Sequence, residues 1–516
     1  MRHGSLIYVL AVALAGCPGG DGTLGDRCAS HDDCTGQLQC VASVCAPRCD
    51  RAPECGDGFA CDEDGLCQPA SGQPGDVCTS EVDCVAGLSC QLEGTQLDEE
   101  QHLLATCGDE NNGSPAGAEC QSNGDCRNNT CDLGHCIDLC TSDRDCGTGT
   151  ECTTIPRLIS NQPTMNVGTY RGCLKARGSV RWSIPMHSAD ERIPLPVPSS
   201  ARSVSVLFAI DDPNQHVGAT QLFVPGTDGL DEDLLAAGDY YTNPFVRHQP
   251  ELADSVLTLP ISPSPDAQLR TTVYDMRVRS LKATGVTTCM EPPCLVQGTA
   301  TPRVNAVIKV GDAAILDLHF YFLNLDDHPC ASKFGGKLDA STAQRSTHFD
   351  QFLAEIKNIL GTAVYFEVGN VTYEDLRDHP DLDGLDIENA PSLLALGAHS
   401  TGVNVFFVRT LSPIGLQAFG PNPGPAGLAN TRRSGIVIGV DTLCYREWPD
   451  LARLTAREIA RYMGLYDNVG LDDDQVDPIA DSDTSSANLM FYSEVGDGTF
   501  LSEGQQQILR RSAVLR

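Results

Sequence analysis

Residues 455–468, TAREIARYMGLYDN, set four charged side chains at spacings that bear on chemistry. Arg457 and Arg461 lie four apart, so a helix points them the same way. A guanidinium stays protonated and has no lone pair to offer, so the two arginines can grip carboxylates or other anions but cannot ligate a transition metal. Glu458 stands three residues before Arg461 and Asp467 six after it, which predicts an ion-pair network tying the helix to the loop that follows. Two buried arginines without partners would cost several kcal/mol in desolvation, so the carboxylates must meet them or the site must stay wet.

The other chemistry-bearing residues are cysteines. Of 25 in the chain, 20 fall between Cys28 and Cys173 in five groups of four, and in each group five residues separate the first two. The stretches GDRCASHDDCTGQLQC, GDVCTSEVDCVAGLSC and GAECQSNGDCRNNTC repeat in sequence as well as in spacing. Each unit is too short to build a core alone, and two disulfides would supply what burial cannot. Four cysteines allow three pairings, and the sequence does not choose among them. Tight CxxC pairs are absent, which disfavours a zinc cluster. The units resemble the small cysteine-rich repeats of Dickkopf-like extracellular proteins.

An oxidising compartment is consistent with the first residues, MRHGSLIYVLAVALAGC, in which Arg2, an apolar run and small residues before Cys17 form an export signal. Leu14-Ala15-Gly16-Cys17 resembles the lipobox of bacterial lipoproteins. The resemblance implies that residues 1–16 are removed and that Cys17 carries the lipid anchor, in the cell envelope at the outer membrane or cell surface. Setting Cys17 aside leaves an even number of cysteines for pairing. The formal charge of −34 argues against nucleic acid as a partner.

The elements that must position these residues change along the chain. After the cysteine-rich region, 17–176, short β-branched runs such as ARSVSVLFAI, SVLTLPI and RVNAVIKV alternate with Pro, Gly and Asp turns, predicting a β-sandwich over 177–312. Cys289 and Cys294 are expected to pair there across MEPP. From 313 to 516 strands and helices alternate, as in ILDLHFYFLNL, STHFDQFLAEIKNILG, GVNVFFVRTL and SGIVIGV, which predicts an α/β domain. Cys330 and Cys444 are expected to tie the loop after its first strand to the segment before the arginine-bearing helix.

That helix resembles the one carrying the H-E-x-x-H-x-x-G-x-x-H motif of metzincin zinc proteases. In its frame Glu458 and Gly464 stand in register, while Arg457, Arg461 and Asp467 occupy the three histidine positions. Downstream, Met490 in Asn-Leu-Met-Phe-Tyr resembles the Met-turn, and FLSEGQQQILRRS resembles the closing helix. The resemblance implies a metzincin-like α/β domain that has lost its zinc ligands, with Glu458 a vestigial general base, no catalytic residues and no zinc.

His319, His328, His348, His379 and His399 are scattered, none within a helical turn of another, and read as surface or satisfied core histidines. The acids Asp472, Asp473, Asp474, Asp477, Asp481 and Asp483, and Asp62-Glu63-Asp64 in the repeats, could hold calcium but read better as solvated loops. The function expected is that of a lipid-anchored surface pseudoenzyme that binds a peptide or protein without cleaving it. An active metallopeptidase with a non-standard metal set and a purely structural surface spacer are the alternatives.

Overall fold

The computed structural model describes residues 26–516 except 37, 42, 48, 52–53, 56–58, 62–64, 66, 236–245, 247, 285–293, 313, 365, 422–427, 470–476, 483 and 493–496. The leader, Cys17, Cys289 and the acids at 62–64, 472–474 and 483 lie outside the described residues. No helix among the described residues is long and apolar enough to cross a membrane, which says nothing of strands.

The cysteine-rich region is a series of disulfide-bonded repeats, each closing on a β-hairpin. In all five the third and fourth cysteines face each other across the hairpin, as Cys40 faces Cys45 and Cys152 faces Cys173. Opposed residues of an antiparallel pair project to one face, where each bonds a cysteine from the preceding turn: first to third, second to fourth. The pairs are thus Cys28–Cys40 and Cys34–Cys45 in the first unit and Cys140–Cys152 and Cys146–Cys173 in the last. In four units the residue before the second cysteine is an aspartate that closes a short turn. Asp125 Oδ2, for example, accepts the amides of Gln121 at 2.9 Å and Ser122 at 2.8 Å.

The repeats are not a free stalk. Arg51 of the second unit donates to the carbonyls of Cys146, Gly147 and Thr150 in the fifth. The last three units share one apolar cluster with the following β-domain, running from Cys78 and Leu103 through Ile137 and Ile155 to Val206 and Ile308. Disulfides hold each unit; in the first two, Leu38 and Phe59 pack on the unit's own cysteines, and in the last three the apolar residues join the shared cluster.

The β-domain holds the strands β1 (Gly178–Ile184), β2 (Asp190–Pro196), β3 (Ala201–Ala209), β4 (Gln215–Pro225), β5 (Asp254–Leu259), β6 (Val273–Ala283) and β7 (Arg303–Val310). One sheet runs β1-β7-β3-β5 and the other is built on β2-β6-β4, with all pairings antiparallel. Both sheets contribute to the shared apolar cluster.

Beyond it come β8 (Ile315–Phe322), α1 (Thr347–Val364), β9 (Glu367–Asp375), β10 (Val403–Val408), β11 (Ala418–Phe419), β12 (Ile436–Gly439), α2 (Trp448–Tyr462) and α3 (Glu503–Arg510). The sheet order is β9-β8-β10-β12-β11, with the first four parallel and β11 antiparallel at the edge. β10 is buried along its length, as a strand covered on both faces must be. Phe320, Phe352, Phe407 and Trp448 belong to the core in which α1 and α2 pack against the sheet. Cys330 and Cys444 are bonded and close a loop of 114 residues, a constraint worth about 4 to 5 kcal/mol in the chain-entropy account.

The two domains are sewn together by the last residues of the chain. Lys309 Nζ of β7 donates to the carbonyl of Leu515 at 2.8 Å, and Ser203 Oγ of β3 donates to the carbonyl of Arg511. Arg433 reaches Glu251 at 3.1 Å and Asp254 at 3.2 Å on the β-domain.

Candidate functional site: a buried arginine-carboxylate network

Helix α2 is made of strong helix formers, Leu451, Ala452, Ala456 and Ala460 among them, with Pro449 in its first turn where its missing N–H costs nothing. Its end is a Schellman closure: Gly464 N donates to the Arg461 carbonyl at 3.0 Å and Leu465 N to the Ala460 carbonyl at 3.1 Å. Gly464 has φ +116°, a backbone conformation that residues bearing a Cβ rarely adopt, and the reversal it permits turns the chain back along the helix.

That return brings Asp467 to Arg457. Arg457 Nη2 donates to Asp467 Oδ1 at 2.6 Å and Nη1 to Glu458 Oε1 at 2.9 Å. Arg461 Nη1 meets the same Glu458 carboxylate at 3.3 Å from Oε1. Arg457 and Glu458 are buried, while the Arg461 and Asp467 side chains are 28% and 34% exposed. The four form one network with an inner pair and an outer pair. Burial pushes the Asp467 carboxyl above its ordinary range, against the downward pull of Arg457 and Arg461.

Met490 is buried, with its amide on Asn488 Oδ1 at 2.9 Å and its carbonyl accepting from Asn468 N at 3.1 Å. The segment after the helix and the Met490 turn are therefore joined next to Asp467. The residue leaving edge strand β11 also passes close: a Cβ on Gly420 would stand 3.5 Å from Glu458 Oε2.

Sequence reasoning missed Arg453, which stands one turn before Arg457. Its Nε donates to the Gly498 carbonyl at 2.7 Å, and burial followed by Arg457 pulls its guanidinium down to about 10. The spacing of four through 453, 457 and 461 was its visible signal.

The histidines do not converge on the arginines. His319 and His399, eighty residues apart, stack at 3.7 Å between ring centres. His319 satisfies both ring nitrogens, with Thr372 Oγ1 at 2.9 Å and the Thr401 carbonyl at 2.8 Å, and burial pushes it down to about 4. His399 pairs with Glu374 at 2.7 Å. His348 stacks on Trp448 and His328 lies against Phe334. Asp481 caps α3, accepting from Gly504 N at 3.0 Å and Ser502 Oγ at 2.9 Å. Asp477 accepts from Ile479 N at 3.3 Å. Cys294 is disulfide-bonded; its expected partner Cys289 is not among the described residues.

The donors at 457, 461 and 467 do not fit zinc. Two are guanidiniums without a lone pair, and the carboxylates of Glu458 and Asp467 already face them. The arrangement can hold the helix to the returning chain, and its half-exposed outer edge, Arg461 and Asp467, can meet a charged or hydrogen-bonding group.

No protein-family profile matches the chain, and no curated protein matches it. Among solved structures, the structure of infectious bursal disease virus Gx strain aligns at 11% identity over 46% of this chain and 66% of that one, with a TM-score of 0.15. A likeness at that level carries no argument about fold.

Proposed function

We propose that the chain is an exported, lipid-anchored envelope protein whose C-terminal domain has a metzincin-like frame and holds an extended peptide or protein segment without hydrolysing it. The observation that carries the reading is the arginine-carboxylate network. In the protease frame, positions 457, 461 and 467 are metal ligands and Glu458 is the general base; here Glu458 faces two arginines and Asp467 is bonded to one. Without a metal, water near Glu458 has no reason to ionise near neutral pH. The Schellman turn at Gly464 and the buried Met490 support the frame. Binding is supported by β11, an antiparallel edge strand beside Glu458, because an unpaired strand edge can accept another strand.

The test uses the purified full chain and fluorescein-labelled β-casein as an unfolded probe. The reading expects substoichiometric zinc, no cleavage, and saturable casein binding that weakens in Arg461→Ala. Stoichiometric zinc lost together with cleavage on chelation would replace it with an active metallopeptidase. Absence of saturable binding would replace it with a spacer.

A further inference from the structure

Between the fourth repeat and strands β1 and β7 of the β-domain lies an open groove of about 900 Å³, with Leu428 at its border. That volume falls within the roughly 300–1,000 Å³ of small-ligand clefts. A second groove, of about 240 Å³, adjoins it, and Trp182, Cys131 and Asp132 line both. Trp182 is half-buried, packed against the apolar cluster that the repeats share with the β-domain. The hairpin turn of the fourth repeat sits so close to it that a Cβ at Gly134, whose φ is +71°, would collide with Trp182 Cβ. The tryptophan is thus held where the two grooves meet.

Around it the lining is polar. Glu119 and Gln121 are exposed, and their side chains bond to no other described residue. Asp125 uses Oδ2 for its own turn, which leaves Oδ1 to the groove. Asn305 accepts from Ser183 Oγ at 2.7 Å through Oδ1, which leaves its amide hydrogens. Two charged groups are already engaged: Asp132 accepts from the Tyr170 hydroxyl at 2.9 Å, and Arg181 donates to Ser179 Oγ at 3.0 Å. Three carboxylates therefore line the larger groove against one guanidinium, which disfavours an anionic guest.

We infer that the groove binds a neutral β-1,4-linked oligosaccharide of glucose-configured rings, one ring packed on Trp182 and its hydroxyls held by Glu119, Gln121 and Asn305. Such a ring carries hydroxyls around its rim and C–H groups on both faces. It matches one aromatic body set among planar side chains that between them donate and accept. The inference does not depend on the arginine-carboxylate network.

The experiment titrates the full chain with cellohexaose and chitohexaose, which share that ring and differ in the N-acetyl group, beside hexagalacturonate and hexalysine. The chain has two tryptophans, and Trp448 is buried in the C-terminal core, so acrylamide quenching of fluorescence follows Trp182. At least one neutral sugar should bind saturably and shield the tryptophan from quenching. Calorimetry should show Trp182→Ala weakening that sugar about tenfold. Gln121→Ala, a change at an exposed side chain, should weaken it about fivefold and leave the melting temperature unchanged. Failure of both neutral sugars to bind saturably, an affinity unchanged in Gln121→Ala, or tighter binding of hexagalacturonate would each overturn the site. Tighter binding of hexalysine would overturn it in favour of a cationic peptide.

Discussion

Arg457 Nη2 lies 2.6 Å from Asp467 Oδ1, across the turn at Gly464, so the buried helix holds the chain that leaves it by a charged contact as well as by backbone bonds. The partners differ in surroundings. Arg457 is 1% exposed and Asp467 stands at the rim with a third of its side chain in solvent. The inner charge depends on its partners far more than the outer one does.

Arg457→Ala therefore leaves Glu458 buried beside a cavity and Asp467 untied, and is expected to lower unfolding free energy by about 3 to 5 kcal/mol. Arg461→Ala removes a partner that solvent already screens and should cost about 0 to 1 kcal/mol. Urea unfolding of the two variants checks this, and equal losses would contradict the inner and outer division of the network.

Gly464→Ala is expected to cost about 1 to 3 kcal/mol from backbone strain alone. A Cβ there would meet only Ile508 Cγ2, at 3.7 Å, so crowding is not the cause. An unchanged denaturation midpoint would show that the turn does not need its φ of +116°.

Lys309 gives a pH dependence. Burial lowers its ammonium to about 8, against about 10.4 in the unfolded chain. Between those values the unfolded state holds more protons, so stability should rise with pH through that window, while the full penalty is present below it. Melting temperatures at neutral and mildly alkaline pH should show the rise in the native chain and lose it in Lys309→Met.

In the repeats, amides of Gln121 and Ser122 hold the Asp125 carboxyl below its ordinary range, the Gln121 bond being the larger cause. Its stabilising effect is present above the unfolded value of about 3.9 and is lost as pH falls through the lower folded value. Hydrogen exchange at those two amides should accelerate several-fold in Asp125→Ala at neutral pH. Exchange indifferent to the substitution would remove the aspartate from the turn's closure.

What could be read from the sequence was local. Five-residue spacing announced the repeats, and runs such as ARSVSVLFAI announced strands. The positions of Arg457, Glu458, Arg461 and Asp467 allowed a network by sign and spacing. Contacts between distant segments could not be read this way. First-to-third bonding depends on how the turn carrying the first two cysteines sits against each hairpin, and that placement is a tertiary fact. His319 stacks on His399 because the segments carrying them adjoin in the fold, and no helical spacing hints at it. Arg51 docking on the fifth repeat is equally remote, and it ties the second repeat to the fifth.

Because the two bridges of each repeat interlock, a protease that severs one peptide bond anywhere within a unit leaves both pieces still joined covalently. A break between Cys34 and Cys40 is spanned twice, and one between Cys40 and Cys45 is still held by Cys34. Within the repeats only the junctions between units offer a cut that no bridge spans, and they range from 137–139 to the longer 68–77 and 108–119. At 137–139, Ile137 and Leu139 are buried in the common core, so nicking at that junction requires the core to open first.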